Sequence, residues 1–198
     1  MEMLPAAFAS GWASGVNAWA TVFVLGVLGR FAGVEGIPAG FQRTDVLVIV
    51  GVLTAIEVVA DKIPYIDSTW DALSTVIRPV AGAAIGALWA GASGDLATIT
   101  LASVGGITAL VSHLTKSGLR LAVNTSPEPF SNVAASVSGD VAVTGVATLV
   151  ALAPVAAAIV VAILLAIGLG AVGFAASRIR RGWRRWRDRS SRSDAPAG

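Results

Sequence analysis

The chain has 198 residues, 55% hydrophobic and 13% charged, with no cysteine and a mean hydropathy of +0.77. A soluble domain carries roughly twice that fraction of charge, so these side chains cannot cover a water-soluble globule; the apolar content equally excludes disorder. Eight of the 14 Lys and Arg fall in residues 178–198, beside two acidic residues, so a tail of net +6 follows a body of net −4. The basic character belongs to the tail and does not indicate a nucleic-acid partner.

Taken in order, the apolar segments are compared with the roughly 20 residues that a spanning helix needs. Phe8–Gly29 reads as a first full span, and the Met1-Glu2-Met3 start lacks the basic region of a signal peptide. A polar, glycine-rich connection, Arg30–Asp45, leads to Val46–Ala60, which at 15 residues is short for a span. Residues 66–78 form an amphipathic stretch that Arg78-Pro79 is expected to break, and Pro79–Ala92 is a second short apolar run. It contains Gly82-Ala-Ala-Ile-Gly86, a close-packing signal. Residues 61–92 fit either one kinked helix or a re-entrant pair.

Leu96–Leu114 is a further near-full segment, followed by a polar connection, Lys116–Asn132, centred on Ser126-Pro127-Glu128-Pro129. Val133–Leu152 and Pro154–Ser177 close the apolar part. Arginines and two tryptophans (Trp183, Trp186) follow at once, the positive-inside pattern of a cytoplasmic C-terminus. The expectation is an all-α, polytopic transmembrane bundle of about six membrane segments, some proline-broken or re-entrant. Residues 1–177 form the membrane domain and 178–198 a basic cytoplasmic tail. An even count puts both termini on one side, and the glycine-rich faces favour a homo-oligomer.

Polar residues inside such segments are costly and mark function by default. Glu57 and Asp61, four apart, share one helix face and suit a proton or a hard cation, so they are the candidate metal ligands as well. Asp67, Asp71, Ser74 or Thr75, and Arg78 form a polar stripe along 66–78. His113, Lys116, Arg120 and Asn124 form another, whose cations fit ion pairing with the acidic clusters or an anionic head group. Around Pro127 and Pro129 the backbone cannot stay helical throughout, so Asn124, Glu128 and Asn132 would offer oxygens wherever that segment lies. Lys62 joins Arg78, Lys116 and Arg120 as a counter-charge. No hydrolase, P-loop, zinc-protease or dinucleotide motif is present, so no enzymatic activity and no cofactor are expected.

Three blocks carry a resemblance: Glu57-x-x-x-Asp61-Lys62-x-Pro64-x-x-Asp67-Ser68-x-Trp70-Asp71, Arg78-Pro79-x-Ala81-Gly82, and Lys116-x-x-x-Arg120-x-x-x-Asn124-x-Ser126-Pro127-Glu128-Pro129-x-Ser131-Asn132. Over about residues 13–175 the chain resembles a family of small bacterial integral membrane proteins classed only as a domain of unknown function. The resemblance implies a membrane protein whose polar blocks are the family signature, and it implies no activity. Three roles follow from the residues. The first is a small transporter or channel for an ion or small polar solute in the bacterial cytoplasmic membrane, with Glu57→Gln expected to abolish flux and leave folding intact. The others are a lipid-handling protein that binds an anionic head group at Lys116 and Arg120, and a non-transporting assembly factor.

Overall fold

A computed structural model of the chain describes the backbone of residues 3–61, 66–123 and 129–193, and side chains for all of these except 66–68, 122–123, 129–132 and 182–193. Among the described residues every regular element is a helix: α1 (Met3–Val16), α2 (Ala18–Phe31), α3 (Thr44–Ala60), α4 (Ile66–Ala90), α5 (Asp95–Val123), α6 (Pro129–Leu152) and α7 (Pro154–Ser193), with a 3-10 turn at Ala39–Gln42. Four stretches, Thr69–Ala90, Asp95–Leu121, Val133–Leu152 and Pro154–Arg181, are long and apolar enough to cross a membrane. Side-chain placement points the same way. Val48, Val52, Leu96, Ile99, Ile159 and Ile163 face outward, whereas Ser14, Asn17, Thr21, Glu57, Arg78 and His113 are buried. A bundle that buries hydroxyls and charges and exposes branched aliphatics is matched to lipid, not water. The chain is a multi-pass helical membrane protein.

The first apolar segment is not one helix. α1 and α2 meet at Asn17, which is extended (φ −153°, ψ 104°) and accepts the Ala20 N–H on its side-chain oxygen, capping α2. Asparagine competes with the helical backbone through its own amide and so favours such caps over helix interiors. Each of the two helices has 14 residues, about 21 Å at about 1.5 Å per residue, against a hydrocarbon core of about 30 Å. Glu35, Gly36, Ile37 and Pro38, beyond the end of α2, line the same end cavity as Met3 and Ala6 of α1. The chain therefore reverses at Asn17, and α1 and α2 form a re-entrant pair.

α1 sits at the centre, packed against α4, α5, α6 and α7. Its run of Ala, Ser and Gly lets its neighbours approach: a Cβ on Gly11 would lie 2.6 Å from the Gly105 carbonyl oxygen of α5. Gly82 of α4 meets Gly105, and Gly86 meets the Leu101 carbonyl, in the same way. Gly11, Gly82, Gly86 and Gly105 are thus used within one chain, whereas Gly145, Gly170 and Gly173 meet nothing within 4 Å.

Residues 66–90, expected to break at Arg78-Pro79, are one continuous helix with Pro79 inside it. Pro79 removes one backbone donor, but close packing of α4 on α5 along the Gly82–Gly86 face spans the site and keeps the flanking turns aligned. α5 is longer than the apolar pattern suggested, so Lys116 and Arg120 lie in a helix and not in a connection. Proline takes the first position of α6 (Pro129) and α7 (Pro154), where a missing N–H costs no helical bond. α7 continues past residue 177 to Ser193 without interruption.

Met3, Ser93 and Pro154 share one end cavity, while α7 runs 40 residues away from it. From α3 to α7 the helices alternate between the two ends. The start of α1 and the arginine-rich segment therefore lie at opposite ends of the bundle, not together as an even count would require.

Candidate functional site

The re-entrant pair determines where the polar side chains meet. A helix leaves its last carbonyls without backbone donors, and its C-terminus carries partial negative charge. At the end of α1 those carbonyls face cations from α4 and α5. Arg78 Nη1 donates to the Gly15 carbonyl at 3.3 Å, and Lys116 Nζ donates to that of Val16 at 2.9 Å. Ser14 Oγ donates to the Arg78 carbonyl at 3.4 Å and ties the two helices together.

Around this end lie two layers of ion pairs. In the inner layer Arg78, 1% exposed, donates from Nη2 to Glu57 Oε1 at 2.6 Å and from Nη1 to His113 Nδ1 at 2.8 Å. A guanidinium only donates, so Nδ1 of His113 is the acceptor and the ring proton sits on Nε2. Nε2–H then donates to Thr75 Oγ1 at 3.0 Å, and that hydroxyl donates to the Asp71 carbonyl at 3.0 Å. The imidazole is neutral and held in one tautomer by this chain.

In the outer layer Asp61 Oδ2 takes both Lys116 Nζ, at 3.0 Å, and Arg120 Nη2, at 3.3 Å. Arg120 Nη1 also donates to Asp71 Oδ2 at 2.8 Å, and Asp71 Oδ1 lies 3.7 Å from Arg78. Among the described residues the network holds three carboxylates, Glu57, Asp61 and Asp71, and three cations, Arg78, Lys116 and Arg120. Its formal charge is zero. Among the described residues three buried polar atoms within it, Asp61 Oδ1, Asp71 Oδ1 and Arg78 Nε, have no hydrogen-bond partner, and neither has Asn17 Nδ2 at the end of α1.

Glu57, in the last turn of α3, and Asp61, its C-cap, are held by different cations, Arg78 for the first and Lys116 and Arg120 for the second. No group of three or more His, Cys, Asp or Glu able to hold a metal ion forms among the described residues. Lys62, Asn124 and Glu128 lie outside the described residues, as do the side chains of Asp67 and Asn132. Residues not singled out from the sequence are the α1 carbonyls of Gly15 and Val16, together with Asn17. An asparagine inside an otherwise apolar run is a helix-cap signal, and it would have located the break.

Beside the outer layer, α1, α5, α6 and α7 enclose a cavity of about 320 Å³. It is lined by Lys116, Arg120 and Ser138 and, deeper in, by Trp12, Ala142 and Leu164. No curated protein matches the chain, and no solved structure matches it. Residues 4–172 match the family described as a domain of unknown function (DUF4126), and the chain belongs to that family.

Proposed function

We propose that the protein is a small transporter or channel for an ion or small polar solute in the bacterial cytoplasmic membrane, with its arginine-rich tail on the cytoplasmic side and no enzymatic activity. One observation carries this reading: a charge-neutral network buried against a helix that stops in mid-bundle. Replacing a buried ion pair by apolar residues of similar volume is often neutral or stabilising by about 1–4 kcal/mol, so stability alone does not account for such a network. Interrupted helices whose ends meet charged groups within the bundle are the usual construction of transporter sites. The positive-inside pattern supports the orientation of the tail.

The network sets the terms of passage. A cation or proton reaching Asp61 or Glu57 meets a carboxylate already held by Lys116 or Arg78, so uptake is an exchange in which a protein cation yields. Lys116 is the freer of the two. It has a flexible four-carbon stem and borders the 320 Å³ cavity, whereas Arg78 is fixed by Glu57, Gly15 and His113 at once.

Reconstitution into liposomes tests the reading. Purified protein should carry a flux of Na⁺, K⁺ or H⁺ above that of empty liposomes, and loss of the Glu57–Arg78 pair should abolish it. A flux that ignores the pair would remove the network from the mechanism.

A further inference from the structure

The cavity between α1, α5, α6 and α7 is graded along the bundle. Lys116 and Arg120 follow the apolar run Leu96–Leu114 of α5, towards the end from which the arginine-rich segment of α7 leaves, and Lys116 is one turn nearer that run. From Lys116 towards the start of α5 the lining is mainly apolar, with Ile167, Trp12, Ala142 and Leu164 beside the hydroxyls of Ser112 and Thr115. Among the described residues two cations line the cavity and no acidic residue does. Their carboxylate partners, Asp61 and Asp71, sit on α3 and α4, which contribute nothing to the lining.

We propose that this cavity binds an anionic phospholipid, its phosphate on Lys116, Arg120 and Ser138 and one acyl chain along Trp12, Ala142 and Leu164. Three physical features select this occupant. The cavity has the polarity order of a lipid, its two cations towards the end where the arginines of α7 leave and its larger apolar side chains towards the middle of the bundle. At about 320 Å³ it falls in the range of small-ligand pockets, roughly 300–1,000 Å³, large enough for part of a chain and too small for a whole lipid. The helix that forms one wall, α7, leaves the apolar region at the same end through Arg178, Arg180 and Arg181, which concentrate anionic lipid there. Phosphate bonded to both cations also draws them from Asp61 and Asp71, so lipid occupancy couples directly to the ion-pair network.

The test is thermal unfolding of the detergent-purified full chain with phosphatidylglycerol, with phosphatidylcholine of the same chains, and with inorganic phosphate. The wild-type protein should gain a saturable rise in Tm with phosphatidylglycerol and none with the other two. Ala142→Phe fills the apolar part without touching an ion pair and should abolish the rise; Ala135→Phe, near the mouth, is a second filling variant should the first not fold. Native mass spectrometry should show one bound phosphatidylglycerol in the wild type and none in the filled variant. An equal rise with phosphatidylcholine, a rise with phosphate alone, or a full phosphatidylglycerol response in a folded filled variant would each overturn the proposal.

Discussion

The Glu57–Arg78 pair gives the sharpest energetic prediction. With 2.6 Å between Arg78 Nη2 and Glu57 Oε1, and both side chains at most 2% exposed, removing either partner strands a charge in the bundle. Breaking a buried pair from one side costs about 3–5 kcal/mol. At about 2–4 °C per kcal/mol for a chain of this size, Glu57→Met and Arg78→Met should each lower Tm by roughly 6–20 °C. The double variant removes both charges but leaves the Gly15 carbonyl and His113 Nδ1 without the donor that Arg78 supplied. Two unsatisfied buried groups cost about 2–6 kcal/mol together, against about 1–4 kcal/mol gained from an apolar replacement, so the double variant should lie between about 2 kcal/mol above and about 5 kcal/mol below wild type, short of the sum of the single losses. Tryptophan fluorescence during heating reads all four proteins. Simple additivity of the two single losses, or single losses under about 1 kcal/mol, would refute a desolvated, coupled pair. The same reasoning revises the expectation that Glu57→Gln leaves folding intact: the amide strands Arg78 as well.

Three further outcomes follow from the fold. Gly11→Ala places a methyl 2.6 Å from the Gly105 carbonyl oxygen and 2.8 Å from its Cα, which should cost about 1–3 kcal/mol or more in the same melt. Gly170→Ala on α7 meets nothing within 4 Å and should instead raise Tm slightly. Asn17→Ala removes the cap on Ala20 N–H and should cost about 1 kcal/mol, while an unchanged or higher Tm would mean that the break does not depend on that side chain. Because the chain has no cysteine, single cysteines at Gly36 and Ser93 should react with a membrane-impermeant reagent from one side, and one at Arg181 from the other. Labelling of all three from one side would contradict opposite termini.

The membrane class was legible in composition, because 13% charge cannot solvate a 198-residue globule. The polar faces were legible too. The 113-116-120 spacing put His113, Lys116 and Arg120 on one helix side, and Asp71 meets Arg120 at 2.8 Å. The break at Asn17 was hidden because hydropathy averages over a window in which one asparagine hardly registers. Continuity through Pro79 was equally hidden, since it depends on packing against α5 at Gly105 and Gly106, far along the sequence. The meeting of α1 with the network lay further beyond local pattern: Ser14 bonds across 64 residues to Arg78, and Lys116 across 100 to Val16.

On the proposed function the buried charges serve passage and not folding. The most direct measurement is cation-driven flux through liposomes containing wild-type protein or the Glu57→Met/Arg78→Met variant, both shown to be folded by their melts. The wild type should carry flux, and the folded double variant should show only the empty-liposome rate. Equal flux through both would contradict it.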